Sequence, residues 1–321
     1  MSSAVPTVTL TPDHAGLSRA AEFLTDGALV AFPTETVYGL GADARNDTAV
    51  ARIFEAKGRP RFNPLIVHLP NMDVARTIAD FPELAERLAD AFWPGPLTLV
   101  VPLRPDSGLS PLVTAGNDTV ALRVPEHPVA HDLLTTFAGP VAAPSANPSG
   151  KVSPTRAEHV LEGLTGRIEA VVDGGACGVG VESTIIGFDG GPTLLRPGGL
   201  PTEVIEECIG QPLAARGENA GINAPGQLTS HYAPGAPVRL NATAPDVDEV
   251  WLGFGPDCKD AALNLSPTGD LVEAAANLFH HLRAIDALAN TGQVIAIAPV
   301  PEHGLGRAIN DRLRRAAAPR S

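Results

Sequence analysis

The 321-residue sequence predicts an α/β fold with a large N-terminal domain, a linker and a small C-terminal domain. Short apolar segments of strand length alternate with amphipathic helical segments along most of the chain. The apolar content of 44% is typical of a globular protein with an extended core. Residues 210–237 are rich in Gly, Pro, Ala and Asn and show little apolar periodicity, which indicates a linker. We therefore expect one domain over 1–209 and a second over 238–321.

The N-terminal domain should begin with a helix and a buried strand. Thr11-Pro12-Asp13 is a helix start signal, with Thr11 as the capping hydroxyl and Pro12 at the first helical position, and the helix should run to about residue 26. The apolar run Ala28–Phe32 predicts a strand that ends at Pro33, because proline lacks the backbone donor that a sheet requires. Asp47 is expected to cap a helix over 48–56.

The remaining elements follow from the same periodicities. Further strands are predicted over 65–69, 97–103, 118–125, 141–143, 168–172 and 193–198 and in the segment ending at 186, with helices over 72–80, 82–92, 128–137, 155–164 and 201–209. Residues 105–116 are predicted as a loop. In the last domain, strands over 238–240, 250–254 and 294–298 alternate with helices over 271–289 and 305–317, which predicts a small Rossmann-like domain with a parallel sheet. His280 and His281 are expected to face solvent.

Composition narrows the classes of function. The net charge of −13 argues against a large non-specific nucleic-acid surface, since such binding depends on neutralising phosphates. No apolar run approaches the roughly 18–20 residues of a membrane span, and the first residues lack a secretory signal pattern. Cys177, Cys208 and Cys258 lie far apart without a CxxC motif, which favours reduced thiols over disulfides or a zinc site. We therefore expect a cytoplasmic protein.

Polar and cationic residues cluster where predicted strands and helices end. Thr34–Gly41 follows a buried strand and is either an ordinary exit into a loop or a ligand site, since ligands bind at such strand ends in α/β sheets. Lys57 is one of only three lysines and follows a helix with Arg59 and Asn63, so this loop either complements the helix dipole or binds a polyphosphate. Arg123 lies on an otherwise small and apolar strand, where it is either an edge residue facing water or an anion clamp.

The hydroxyl-rich segment 144–155 also has two interpretations, one structural and one functional. Ser153 or Thr155 either caps the following helix or belongs to an anion cradle at its N-terminus. Gly39–Ala44 fits a dinucleotide-binding pattern only loosely, because no helix starts at the right place, and Gly150-Lys151 lacks the other residues of a P-loop.

Taken together, the ends of the predicted strands and helices carry cations and hydroxyl groups but no nucleophile–base pair. The candidates are Thr36, Lys57, Arg59, Asn63, His68, Thr119, Arg123, Ser145, Asn147, Ser153, Ser183 and Arg196. Such a set suits a phosphate ligand, a small carboxylate, and chemistry by positioning and charge neutralisation, of which adenylyl transfer is an example.

Eight motifs, in this order, resemble the YrdC-like domain of threonylcarbamoyl-AMP synthases. They are PTETVYGLG, KGRPRFNPLIVH, WPGPLTLV, DTVALRVP, APSAN, SGKVSPT, GVESTI and LLRPG. The later PGQLTSHYAP, followed by a small α/β domain, resembles the longer two-domain form of the family. The resemblance implies a twisted mixed sheet with helices around a concave cavity.

The resemblance also implies a reaction and its partners. The family makes threonylcarbamoyl-AMP and pyrophosphate from L-threonine, bicarbonate or CO₂, and ATP with Mg²⁺, and the product passes to a tRNA threonylcarbamoyl transferase complex. The implied threonine pocket comprises Thr36, His68, Arg123, Ala143 and Ser183. The implied ATP residues are Lys57, Arg59, Asn63, Thr119, Ser145, Asn147, Ser153, Arg196 and the linker residue Tyr232, with Lys57 and Arg59 in the catalytic role.

Individual roles follow as hypotheses. Arg123 should pair with the threonine carboxylate, and Thr36 and Ser183 should contact its other polar groups. Ser145 and Ser153 should donate to phosphate oxygens, and Tyr232 should bring the linker over the nucleotide as a lid. Glu35 and Tyr38 are expected to brace their loop.

Two other functions occur with related domains. One is a non-enzymatic RNA-binding or ribosome-maturation factor, against which the charge of −13 argues. The other is a carbamoyl-transfer module of hydrogenase cofactor assembly, which should bring zinc-finger modules, and this sequence contains no CxxC motif.

Overall fold

The computed structural model describes residues 5–217, 224–226 and 231–319. The helices are α1 (His14–Thr25), α2 (Asp47–Lys57), α3 (Met72–Ile78), α4 (Glu83–Phe92), α5 (Pro111–Thr114), α6 (Pro128–Phe137), α7 (Ala157–Leu164), α8 (Thr202–Ile209), α9 (Leu271–Leu288) and α10 (Gly306–Ala317). The strands are β1 (Val8–Leu10), β2 (Val30–Phe32), β3 (Gly39–Asp43), β4 (Ile66–His68), β5 (Leu97–Pro102), β6 (Thr119–Arg123), β7 (Val141–Ala142), β8 (Ala170–Val172), β9 (Thr184–Gly187), β10 (Thr193–Arg196), β11 (Ala214–Ala215), β12 (Val238–Arg239), β13 (Glu249–Gly253), β14 (Leu263–Asn264) and β15 (Val294–Ile297).

The strands form two sheets, and the predicted α/β fold is confirmed. An 11-stranded mixed sheet has the order β1-β8-β2-β3-β7-β4-β6-β5-β9-β10-β11 and defines the N-terminal unit, together with α1–α8. A four-stranded sheet of order β12-β15-β13-β14 defines the C-terminal unit, with α9 and α10. All three strand pairs of the small sheet are parallel, as predicted.

Alternation along β2 shows why the large sheet is covered on both faces. Val30 and Phe32 pack in the cluster of α1 and α6, whereas Ala31 packs in the main core on the other face. Because successive side chains of a strand point to opposite faces, a fully apolar strand requires a layer on each side.

Four strands and one helix were not predicted, and β3 is the most informative of them. Its pattern Gly-Leu-Gly was interpreted as a loop, but β3 pairs antiparallel with β2, with Gly41 opposite Val30. A Cβ on Gly41 would lie 2.8 Å from a ring atom of Phe32, so glycine is required here by close packing within the sheet. The segment Thr34–Tyr38 is therefore the loop of a β2–β3 hairpin. The predicted loop over 105–116 contains α5, and β1, β11 and β14 are short strands of two or three residues.

Several predicted helix caps were wrong. The N-cap of α2 is Asn46, whose side chain accepts from the backbone of residues 48 and 49, and Asp47 is the first helical residue. The N-cap of α1 is Asp13. Helix α7 begins at Ala157, after Arg156, so neither Ser153 nor Thr155 caps it.

The two units share one apolar cluster. Val37, Val152 and Val181 of the N-terminal unit pack with Tyr232 and with the α9 and α10 side chains of the C-terminal unit. At Gly180 (φ +76°) an added Cβ would lie 2.4 Å from the carbonyl oxygen of Ala275, so α9 rests directly on this backbone.

Histidines also lie at this contact. The prediction that His280 and His281 face solvent was wrong, since both are only partly exposed. The ring of His280 stacks on His159 of the N-terminal unit with centroids 5.5 Å apart.

The division into 1–209, 210–237 and 238–321 remains a prediction. Residues 218–223 and 227–230 of the expected linker lie outside the described residues. No helix within the described ranges is long and apolar enough to cross a membrane.

Candidate functional site

A cavity lies over one face of the large sheet. Ile66 and His68 of β4 line it, and their spacing of two residues places both on the same side of the strand. The predicted site residues that line it are Thr36, Arg59, His68, Arg123, Ala143, Ser145, Ser183, Arg196 and Tyr232. Lys57, Asn63, Thr119, Asn147 and Ser153 do not line it.

Arg123 organises one end of the cavity. It lies directly opposite His68 in the parallel pair β4–β6 and is 3% exposed, so it is not an edge residue facing water. Its Nη1 donates to Thr36 Oγ1 at 2.9 Å, its Nη2 to Glu35 Oε1 at 2.5 Å, and its Nε to the Gly95 carbonyl at 3.2 Å. A planar guanidinium held from three directions is pre-organised for a planar carboxylate ligand.

Glu35 and Tyr38 occupy bracing positions. The second oxygen of Glu35 accepts the backbone N–H of Glu126 at 3.2 Å, and the side chain does not line the cavity. Tyr38 is fully buried, and its hydroxyl donates to the Gly175 carbonyl at 2.8 Å. These bonds tie the β2–β3 loop to its neighbours.

Hydroxyl groups line the same end. Thr34 Oγ1 and Thr36 Oγ1 lie 2.8 Å apart, and Thr98 Oγ1 lies 2.7 Å from Ser183 Oγ. Arg196 Nη2 also donates to Ser183 Oγ at 3.2 Å. This end therefore offers a cation and several small polar groups within a buried surface, which suits a small amino acid.

His68 is neutral in this environment. Burial lowers its pKa to about 3, and the nearby charge of Arg123 adds to the effect. Its Nδ1 is buried without a hydrogen-bond partner among the described residues. A neutral imidazole with such a nitrogen can form a hydrogen bond to a ligand without adding charge to the cavity.

The neutral state of His68 makes stability depend on pH. Below its unfolded-state pKa of 6.5, the unfolded chain binds a proton that the folded chain does not, so stability falls as pH falls towards the folded pKa. Between pH 7.5 and 5 the free energy of unfolding of the wild type should therefore fall by about 2 kcal/mol more than that of His68→Gln. Chemical denaturation at several pH values measures this difference.

His131→Gln is the matched control for this prediction, because the His131 side chain is 48% exposed. It should retain the wild-type loss of stability. An equal loss in wild type and His68→Gln would show that the buried ring is protonated in the folded state.

Cations bonded to carbonyl oxygens lie at the other end of the cavity, where Arg59 and Arg196 line it and Lys57 contacts the lining residue Ser145. Lys57 Nζ donates to the carbonyls of Ser145 and Asn147 at 2.5 Å each. Arg59 donates to the carbonyls of Asn63 and Pro64 at 3.2 and 2.8 Å. Neither cation has a carboxylate partner within the described ranges, and the same holds for Arg196, which donates to the Ser183 carbonyl.

Their electrostatics fit an anion site. Burial, followed by the charge of Arg59, lowers the pKa of Lys57 well below its ordinary value. Burial also lowers the pKa of Arg59 to about 10 and lowers that of Arg196. Buried cations without a directly bonded carboxylate are costly, and an anionic ligand would relieve that cost.

Of the remaining predicted ATP residues, Asn63 and Asn147 lie beside these cations. Asn147 Nδ2 donates to the carbonyls of Pro148 and Lys151, at 2.9 Å each, and so shapes the loop. The side-chain oxygens of Asn63 and Asn147 are buried with no partner in the described part of the chain. Thr119 lies at the start of β6, away from the lining residues, and is partly exposed.

Described parts of the linker close over the cavity. Ala224 is fully buried against Ile66 and Ala121 of the large sheet, and Pro225 and Gly226 line the cavity. Tyr232 is 1% exposed with φ +61°, a backbone region that non-glycine residues adopt only when held there. Its ring stacks on Phe279 of α9 with centroids 5.3 Å apart.

Two ionisable residues that line the cavity were missed by the sequence reasoning. Glu182 lines the cavity from the GVESTI motif, next to Ser183, and His231 precedes Tyr232 in the linker. Burial lowers the pKa of His231 to about 3. The only feature of the sequence that could have pointed to either residue is that each directly precedes a predicted site residue.

Comparisons with known proteins decide the family. The family model described as "Telomere recombination" (Sua5_yciO_yrdC) matches residues 22–198, and the model described as "Threonylcarbamoyl-AMP synthase, C-terminal domain" matches residues 200–318. The chain belongs to the threonylcarbamoyl-AMP synthase family.

Members from distant organisms align along nearly the whole chain. The threonylcarbamoyl-AMP synthase of Bacillus subtilis is 43% identical, with 95% of this chain and 93% of the relative aligned. That of Pyrococcus abyssi is 46% identical, with 93% of each chain aligned. The crystal structure of P. abyssi Sua5 complexed with L-threonine superimposes with a TM-score of 0.87 at 42% identity, covering 97% of each chain. The expected resemblance to this synthase family is thus confirmed over both units.

Proposed function

We propose that this protein is an L-threonylcarbamoyladenylate synthase, which makes threonylcarbamoyl-AMP and pyrophosphate from L-threonine, bicarbonate or CO₂, and ATP. One observation carries the assignment of substrates to this cavity. Arg123 with its hydroxyl neighbours lines one end, and at the other end buried cations bond to carbonyl oxygens. The first end suits an amino acid and the second suits a triphosphate. The family and its threonine-bound member support the same function.

The chemical step needs positioning more than a covalent intermediate. The amino nitrogen of threonine takes up bicarbonate with loss of water, giving an N-carboxylate. One oxygen of this group attacks the α-phosphorus of ATP, the bond to the bridging oxygen breaks, and pyrophosphate leaves. Lys57 and Arg59 would stabilise the charge that develops on the pyrophosphate, and such pre-organised charge is a major source of catalysis.

Arg123 would hold the threonine carboxylate, since its fork matches two oxygens. Thr36, Ser183 and neutral His68 would contact the remaining polar groups, and Ala143 would limit the space available to the side chain. Ser145, Asn63 and Asn147 lie near the cations and would complete the nucleotide side, with Arg196 between the two ends. Thr119 is the least supported of the proposed ATP residues, because within the described part of the chain it neither lines the cavity nor hydrogen-bonds one of its cations.

Ser153 requires a revised role. Its hydroxyl donates to Glu182 Oε1 at 2.6 Å, and a serine has only one proton to donate. In this arrangement Ser153 offers a ligand lone pairs only, so we replace the expected donation to phosphate by an indirect role through Glu182.

Mg²⁺ would enter with ATP. The described residues form no group of three His, Cys, Asp or Glu side chains that could hold a metal ion. In nucleotide sites Mg²⁺ is commonly held by substrate phosphates and water, and such a site needs no cluster of three protein ligands. When bound, the ion would withdraw charge from the phosphate oxygens.

The linker would serve as a lid. Tyr232 and its neighbours cover the cavity, and an adenylate is sensitive to water, so closure would protect the product until release. We further propose that the product passes to a tRNA threonylcarbamoyl transferase complex for tRNA modification.

The function is tested by pyrophosphate release from ATP, measured with all substrates and with each one omitted. Release of pyrophosphate should require both L-threonine and bicarbonate. The mass of the nucleotide product should equal that of AMP with a threonylcarbamoyl group attached. Salt-dependent RNA binding with no turnover would instead support the non-enzymatic alternative.

A further inference from the structure

Glu182 is the one carboxylate among the described residues that line the cavity. It is 6% exposed. In a cavity that takes a triphosphate, an ionised carboxylate repels the ligand, and the repulsion is strong where bulk water is excluded. The site therefore needs a positive charge that offsets Glu182 without itself competing for phosphate.

Arg312 of the C-terminal unit supplies this charge. It lies on α10 with no exposed surface, and its Nε donates to Glu182 Oε2 at 3.0 Å. Its Nη1 donates to the Pro197 carbonyl and, at 3.2 Å, to the Asp311 carboxylate, which fixes the guanidinium from several directions. Burial by itself would raise the pKa of Glu182, but the charges of Arg312 and Arg196 outweigh it and hold that pKa below its ordinary value.

Glu182 and Arg312 each contact a residue assigned to the nucleotide side, Ser153 and Tyr232 respectively. Glu182 Oε1 accepts from Ser153, so each carboxylate oxygen has a defined partner. The guanidinium carbon of Arg312 lies 5.7 Å from the ring centroid of Tyr232, the lid residue. Within the described residues, Arg312 makes no hydrogen bond or ion pair with Arg123 or Thr36 at the threonine end.

We propose that Arg312 is a positioning residue for the nucleotide: it neutralises and orients Glu182, so that the C-terminal unit completes the phosphate side of the cavity. The inference rests on the proposed function for the identity of the nucleotide. Arg312 does not line the cavity and acts through Glu182 and Tyr232.

A double-mutant cycle tests the charge argument. Arg312→Met leaves Glu182 unpaired and should raise both KM for ATP and Kd for a non-hydrolysable ATP analogue by roughly tenfold or more. KM for threonine should stay within about threefold, since Arg312 makes no hydrogen bond or ion pair with Arg123 or Thr36 in the described structure. Adding Glu182→Gln removes the repelling charge and should return both ATP constants to within about threefold of wild type, because replacing a whole buried ion pair is often tolerated.

A purely structural role predicts a different pattern. The double variant would then be no better than Arg312→Met, and the constants for ATP and threonine would rise together. Either result, or wild-type analogue binding by Arg312→Met, overturns the proposal. Should Arg312→Met not fold, the double variant and Arg312→Lys carry the test, and Arg312→Lys should bind the analogue within about threefold of wild type.

Arg314→Met is the matched control on the same helix. The Arg314 side chain is 56% exposed and pairs with Glu302 at the surface, so its loss should leave both constants unchanged. Analogue binding does not depend on turnover. If the wild type lacked threonine-dependent pyrophosphate release, the proposed function would fail, while the coupling of Arg312 with Glu182 in analogue Kd would still be decided.

Discussion

Lys57→Gln is expected to lower kcat/KM for pyrophosphate release by about 100-fold or more, equivalent to about 2.7 kcal/mol of transition-state stabilisation. Lys57 is 3% exposed, and its ammonium faces two carbonyl oxygens with no carboxylate partner in the described structure. Lys57 does not line the cavity itself, but it bonds the lining residue Ser145, so we expect its charge to act on the pyrophosphate as it leaves. Initial rates of pyrophosphate release over a range of ATP concentrations measure the effect.

The choice of glutamine separates charge from structure. An amide can still donate to a carbonyl, so Lys57→Gln keeps a donor for the loop on a side chain one atom shorter and removes the positive charge. Lys57→Ala removes both and should be at least as impaired. Lys259→Ala is the matched control, since Lys259 is an exposed lysine of the C-terminal unit. Wild-type rates in Lys57→Gln would mean that the ammonium is only a loop anchor.

The sequence could predict the elements of the fold because most follow from local periodicity. The helix over 128–137 is found with the predicted bounds. Strand β3 is the exception, because Gly41 packs so closely against Phe32 that only glycine fits. Glycine occurs in strands of this kind and in turns, so the sequence does not distinguish the two. Local patterns also place caps poorly, because the residue that bonds the helix start, such as Asn46, depends on backbone angles.

The candidate site was predictable where its residues end a strand. His68 and Arg123 were chosen for their positions, and the parallel pairing of β4 with β6 brings them face to face. The pairing of Glu182 with Arg312 was not predictable, since it joins residues 130 positions apart and lies between two units. Neither residue has a local pattern that points to the other.

Arg123→Lys should raise KM for L-threonine about 100-fold while KM for ATP stays within about threefold. A lysine keeps the charge but loses the planar fork, so it cannot serve a carboxylate, Thr36 Oγ1 and Glu35 together. Removing a donor from a buried ion pair also leaves Glu35 poorly satisfied in the loop that bears Thr36. Threonine binding measured by calorimetry without ATP should weaken by a similar factor, because the contact exists before the chemical step.

Arg45→Lys is the control for this change, because Arg45 also donates to a nearby carboxylate, that of Asp43, but its side chain is 47% exposed. Surface pairs contribute little, so both KM values should remain at wild-type levels. Glu35→Gln tests whether Glu35 only braces the loop and does not itself bind threonine. Since Glu35 does not line the cavity, losing its charge should weaken threonine binding less than Arg123→Lys does. If Arg123→Lys raised both KM values equally, or left threonine binding intact, Arg123 would support the fold of the cavity and would not hold the threonine carboxylate.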